Sequence, residues 1–170
     1  MAMLPGIAIA GIAMYVGKTL FVERLVAALK RRGLRLAVIK HTGTHFDVDH
    51  EGTDTWRFAR AGSDVVGIVG PHGLALMERS ASEPAVEDVL RRLPGDLDLV
   101  LLEGYKSLPL PKVVIRGSST EPEITGPGPI LCTLAMRSAA SSESPFGEEE
   151  IEAAADAILA FVARAAGGGH

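Results

Sequence analysis

The chain has 170 residues, enough for one domain with a substantial buried core. It is 47% hydrophobic and 22% charged with a net charge of −4, and it has no long Lys/Arg block, which argues against nucleic acid as a principal partner. The single cysteine, Cys132, excludes an intramolecular disulfide and a Cys-only zinc site, and it suits a reducing compartment.

Gly6 to Gly11 is an apolar run that reads as a first strand, followed by a turn that ends in Gly17-Lys18-Thr19. Leu20, Val22, Leu25, Val26 and Leu29 then recur at helical spacing, and Lys30-Arg31-Arg32-Gly33 is a helix stop signal. Leu34 to Lys40 reads as a second strand and His41 to Gly52 as an aperiodic polar loop. Thr53 to Ala61 is expected to be a short helix and Asp64 to Val69 a third strand. Pro71-His72-Gly73 turns the chain so that Leu74 to Glu78 returns antiparallel. Glu83-Pro84 opens a helix through Leu93, which Pro94-Gly95 ends.

Leu97 to Leu102 is apolar apart from Asp98, the pattern of a strand buried on both faces. Lys112 to Ile115 and Ile130 to Leu134 are two further short strands, and Glu148 to Ala165 is a last helix with acids in its first turn. Residues 117–129 and 138–146 are loop-rich, and residues 166–170 form a flexible tail. No repeat or boundary divides the chain, so residues 1–170 are expected to form one nucleotide-binding domain. Alternating strands and helices predict a three-layer α/β fold with a mostly parallel central sheet. The apolar N-terminus lacks a basic leading region and is interrupted by Pro5, Gly6 and Gly11, so it does not read as a signal peptide. No later run is long and apolar enough to span a bilayer, and a cytoplasmic location without membrane contact is expected.

Strand, turn, Gly-Lys-Thr and helix is the order in which a phosphate-binding loop works. Backbone N–H groups and the positive end of the helix dipole cradle a phosphate, Lys18 adds a point charge, and the Thr19 hydroxyl can ligate Mg²⁺. The usual Gly-x4-Gly-Lys-Thr spacing places its first glycine at Ile12, whereas the available Gly11 lies one residue earlier. At the end of Asp98-Leu99-Val100-Leu101-Leu102-Glu103-Gly104, a buried strand delivers a carboxylate to the sheet edge where such folds bind ligands. Glu103 can act on Mg²⁺ through water or orient an attacking water; its bland alternative is a turn-capping acid. The segment from Lys40 to His50 holds His41, His45, His50, Asp47 and Asp49. It reads as a metal site, as a switch-like loop contacting phosphate or Mg²⁺, or as a solvated polar loop, and spacing alone favours the last.

Several ordered blocks resemble one family. They are Val38-Ile39-Lys40-His41-Thr42, His45-Phe46-Asp47-Val48-Asp49, Gly52, Asp54-Thr55-Trp56-Arg57, Ala61-Gly62, Glu103-Gly104-Tyr105-Lys106 and Pro111-Lys112. Together they are similar to the molybdopterin-guanine dinucleotide biosynthesis protein B (MobB) family, from the first strand to about Ile115. The resemblance implies a P-loop NTPase-like fold, a homodimer, and GTP binding with slow hydrolysis at most. It also implies assistance to the MobA-type guanylyltransferase that attaches GMP to molybdopterin.

Carried over, the resemblance gives Gly17, Lys18 and Thr19 the phosphate and Mg²⁺ roles, with Lys18 and Glu103 catalytic and Thr19 and Glu103 at the metal. It places His41, Asp47 and Asp49 against nucleotide or pterin. Asp54 and Arg57 are one helical turn apart and are expected to pair with each other, and Trp56 to pack in the core or at a dimer contact. The chain departs from the family at Ile12, at Gly43-Thr44 where another histidine is common, and at Ala135-Met136-Arg137. The last of these lacks the expected guanine-selecting aspartate.

Three functions follow: a GTP-binding accessory protein of molybdenum-cofactor assembly, a non-catalytic adaptor with a degraded phosphate loop, or a metallochaperone-type GTPase. In the first, the γ-phosphate and Mg²⁺ tie the His41–Asp49 loop to Lys18, Thr19 and Glu103, and hydrolysis loosens it.

Overall fold

The computed structural model describes residues 4–11, 17–44, 46–117, 126–136 and 145–167. In chain order the elements are β1 (Gly6–Gly11), α1 (Lys18–Arg31), β2 (Leu36–Lys40), α2 (Asp54–Arg60), β3 (Val65–Gly70) and β4 (Gly73–Glu78). They continue with α3 (Val86–Arg91), β5 (Leu99–Glu103), β6 (Lys112–Arg116), β7 (Ile130–Ala135) and α4 (Glu148–Gly167). The chain groups into two compact units, Met1–His41 with Leu93–His170, and Thr42–Arg92.

The first unit is built on a five-stranded sheet in the order β2-β5-β1-β6-β7, with every neighbouring pair parallel. The apolar runs of β1 and β5 are buried throughout because both strands are interior to the sheet. Ile7, Ile9, Leu99, Leu101, Val113 and Ile115 form a core with Phe21, Leu25 and Leu29 of α1 and Ile151, Ala155 and Ile158 of α4. The sheet and its helices are the expected α/β fold of the P-loop NTPase kind.

Helix α1 ends where Lys30 and Arg31 meet the dipole's negative end, and Gly33 takes a φ of +84° just beyond it. Its basic residues also face α4. Arg24 pairs with Glu148 at 2.8 Å, Arg31 with Glu148 at 3.1 Å and Glu152 at 2.6 Å, and Arg32 with Glu152 and Asp156 at 2.7 Å each. Helix α4 runs to Gly167, two residues into the expected tail; residues 168–170 lie outside the described ones. Most of the loop-rich 138–146 also lies outside them, but Phe146 is buried, 5.3 Å from the Phe21 ring in edge-to-face contact.

In the second unit, β3 and β4 form an antiparallel hairpin registered from Val65↔Glu78 to Gly70↔Gly73, with Pro71-His72 at the turn. The expected strands and return are present. They pair only with each other and do not extend the parallel sheet. Helix α2 packs on β3. Little here is buried beyond Val66 and Val86, while Ile68, Val69, Leu74 and Leu76 of the hairpin and Phe58 of α2 are all more than half exposed.

Candidate functional site

A parallel sheet sends the C-terminal ends of all its strands to one edge, and there β1, β2 and β5 deliver Gly11, Lys40-His41 and Glu103. Residues 12–16, which include Ile12, lie outside the described residues. The chain re-enters at Gly17, whose φ of +64° is a left-handed conformation that glycine adopts without strain. Gly17, the N-cap of α1, has no side chain with which to cap it, and no acid stands in the first turn. The helix's own first turn therefore supplies no countercharge to its positive end. Lys18 is half-buried and Thr19 exposed on this first turn. A Cβ on Gly17 would meet the Phe146 ring at 3.4 Å, the Pro145 ring at 3.6 Å and the Met136 sulfur at 3.7 Å. The end of β7 and the approach to α4 thus flank the turn with apolar atoms.

Glu103 ends β5 at only 8% exposure, in register with Ile9 on one side and Lys40 on the other. Among the described residues no hydrogen bond or ion pair engages its side chain. Its carboxylate offers free oxygen donors, which are what Mg²⁺ takes; with the exposed Thr19 hydroxyl on the same sheet edge, the residues present fit that ion. The backbone around Glu103 is tied across three strands. His41 N–H donates to the Glu103 carbonyl at 2.9 Å and Gly104 N–H to the Ile9 carbonyl at 3.2 Å. Gly104 has a φ of +107°, and a Cβ there would meet His41 Cβ at 3.2 Å and the His41 carbonyl oxygen at 3.3 Å. The next residue, Tyr105, lays its ring 4.9 Å from the His41 imidazole, tilted by 44°.

The structure therefore brings Gly17, Lys18, Thr19, His41 and Glu103 to one edge of one sheet. Asp47 and Asp49 belong to the second unit, and His45 lies outside the described residues. Asp49 has local work: its Oδ1 accepts from Thr53 Oγ1 and from His50 N–H, each at 2.8 Å. Thr53 in turn caps α2 by accepting from Trp56 N–H at 3.2 Å. The Thr55 hydroxyl first, then the Thr53 hydroxyl and the His50 amide, hold the Asp49 carboxyl below its ordinary range.

The expected Asp54–Arg57 ion pair does not form. Trp56 is half-buried rather than in a core, with the Arg60 guanidinium 5.2 Å from its ring centroid. Among the described residues no group of three or more His, Cys, Asp or Glu is placed to share a metal ion. Burial pushes the Cys132 thiol up to about 11, so it stays protonated and inert at neutral pH.

Lys112, which the sequence offered only within the Pro111-Lys112 block and with no role, is completely buried at the head of a strand that continues Val113-Val114-Ile115-Arg116. The available signal was a charge at the head of the apolar run Val113–Ile115.

Comparison with known proteins agrees with this frame. The family model "Molybdopterin guanine dinucleotide synthesis protein B" matches residues 7–134. A Haemophilus influenzae protein called molybdopterin-guanine dinucleotide biosynthesis adapter protein is 36% identical over 62% of this chain and 61% of its own length. An Escherichia coli protein of the same name is 33% identical over 63% of this chain and 64% of its own. The chain thus spans about three-fifths of the length of these relatives. A crystal structure of molybdopterin-guanine biosynthesis protein B superposes with a TM-score of 0.72 at 27% identity, covering 93% of this chain and 99% of the other. A Bacillus subtilis MobB structure superposes at 0.66 with 26% identity, covering 92% of this chain and 97% of the other. With a family model matched over most of its length, the chain belongs to the MobB family of molybdopterin guanine dinucleotide synthesis proteins.

Proposed function

We propose that this chain is a GTP-binding adapter in the biosynthesis of molybdopterin guanine dinucleotide, assisting the guanylyltransferase and hydrolysing GTP slowly at most. The observation that carries this reading is one sheet edge holding both an uncapped helix N-terminus behind Gly17 and the buried, unpartnered Glu103. The first suits the phosphates, with Lys18 adding charge; the second, with Thr19, suits Mg²⁺, which would neutralise the triphosphate. His41 and Tyr105 offer a half-buried ring pair beside Glu103 for nucleotide or pterin. The names of the relatives support the pathway.

The exposed apolar hairpin supports a homodimer, because an unpaired two-stranded ribbon with apolar side chains is stabilised by burial against a second copy. The absence of any possible intramolecular disulfide fits action in the cytoplasm.

The adaptor without nucleotide draws on a different observation: Met136, Pro145 and Phe146 surround Gly17 with apolar atoms, which do little for a triphosphate. Calorimetric titration with GTP, GDP and ATP, each with and without Mg²⁺, separates the two. Mg²⁺-dependent binding that prefers GTP supports the first reading. No heat from any nucleotide with a folded protein leaves the adaptor.

A further inference from the structure

Strands β5 and β6 are parallel and lie on either side of β1, so the chain must cross β1 to join them. Such crossovers take about a dozen residues or more and commonly contain a helix. Here only residues 104–111 are available, and no helix forms. Irregular backbone laid on a buried sheet face leaves carbonyls that need donors.

Lys112, the first residue of β6, supplies them. Its register partner on β1 is Ala8, whose other neighbour is Leu102. These residues alternate with Ile7, Ile9 and Val113, which pack toward α1 and α4, so the lysine stem runs along the opposite face. The side chain is fully buried. Its ammonium donates to the carbonyls of Lys106 at 3.1 Å, Leu108 at 3.2 Å and Pro127 at 2.6 Å. An ammonium has three N–H donors, and all three are used on main-chain oxygens, with no carboxylate among these partners.

The two loops it joins are shaped to come this close. A Cβ on Gly126 would collide with the Lys106 carbonyl and stand 3.2 Å from Lys112 Nζ, and one on Gly128 would collide with the Leu110 carbonyl. A hydrocarbon side chain could fill the same stem volume without burying a charge, so packing alone does not call for lysine.

We propose that Lys112 is a positioning residue: its ammonium takes the place of the missing crossover helix, fixes residues 104–111 against residues 126–129, and thereby sets the ligand-facing turn Glu103-Gly104-Tyr105. The link to a ligand rests on the nucleotide-binding reading above; the link to the crossover does not.

The test has one arm for each. Amide hydrogen exchange is followed on the unliganded wild type, Lys112→Met and Gly126→Ala, the second variant wedging the clasp open from the opposite loop without touching the strand. We expect exchange to rise about ten- to a hundredfold in residues 104–111 and 126–129, the scale of a lost charge-assisted hydrogen bond, with β1 and α1 unchanged. We also expect the affinity for Mg²⁺-GTP to weaken about tenfold in folded Lys112→Met and to recover little in Lys112→Arg, whose planar guanidinium mismatches the three carbonyls. Exchange unchanged in those two segments, or raised uniformly over the whole chain in both variants, overturns the proposal. Localised exchange with unaltered affinity reduces Lys112 to a structural role and overturns the positioning claim. A wild type that binds no nucleotide instead sinks the functional reading, and exchange alone then decides the clasp.

Discussion

Gly104 shows how a single backbone position joins three strands. Its φ of +107° disfavours any side chain, and a notional Cβ 3.2 Å from His41 Cβ would require His41 to shift by a few tenths of an ångström. Gly104→Ala should destabilise the protein by about 1–3 kcal/mol, a strained left-handed residue plus a clash, read as a lower urea midpoint with an unchanged slope. An unchanged midpoint would mean that His41 simply gives way.

Asp49 carries a pH prediction. Its carboxyl is held below the ordinary range in the folded chain, so the stability it lends the start of α2 is fully present above an unfolded aspartate's pKa of about 3.9. That contribution disappears as pH falls through the lower folded value. Exchange protection of the Trp56 amide, which Thr53 caps, should persist at mildly acidic pH and be lost only below that range, and Asp49→Asn should abolish the dependence. Protection lost near pH 5 would contradict it.

Glu103 was legible in the sequence because an acid closing the run Leu99–Leu102 has only one edge to go to. Lys112 was not, since its acceptors lie in loops that no periodicity locates. The support that Asp49 gives the Thr53 cap was readable in principle, as an acid a few residues ahead of a threonine N-cap.

At the scale of elements, α1 and α4 act as a pair. Phe21 is fully buried and meets Phe146, so Phe21→Ala should cost about 3–5 kcal/mol through cavity formation. The neighbouring Arg31–Glu148 and Arg31–Glu152 pairs are largely solvated, and Arg31→Ala should cost only about 0.2–1 kcal/mol, less at high salt. Chemical denaturation of the two variants checks the ranking, and a larger loss from the arginine would reverse it.

The helices and parallel strands were readable because their apolar spacing differs: 3.6-residue recurrence in α1, continuous runs in β1 and β5. Strands β3 and β4 were also readable as strands, and their turn was visible at Pro71-His72. Their separation from the central sheet was not, because pairing partners are chosen by tertiary packing rather than by a strand's own pattern.

Across the whole molecule, the motifs read from the sequence meet at one edge of one sheet in the first unit, and kinship names the family. The family match over residues 7–134 includes the blocks around His41, Glu103 and Lys112. The resemblance expects other residues at Ile12 and at Ala135-Met136-Arg137. On the proposed reading they bear on whether, and for which base, the edge holds a nucleotide. The decisive measurement is calorimetric titration of the wild type, Lys18→Ala and Glu103→Gln with GTP in the presence and absence of Mg²⁺. The account predicts Mg²⁺-dependent binding by the wild type, a loss of at least about a hundredfold in Lys18→Ala, and affinity in Glu103→Gln that no longer responds to Mg²⁺, with all three proteins folded. Equal GTP affinity in all three, or none in the wild type, would contradict it.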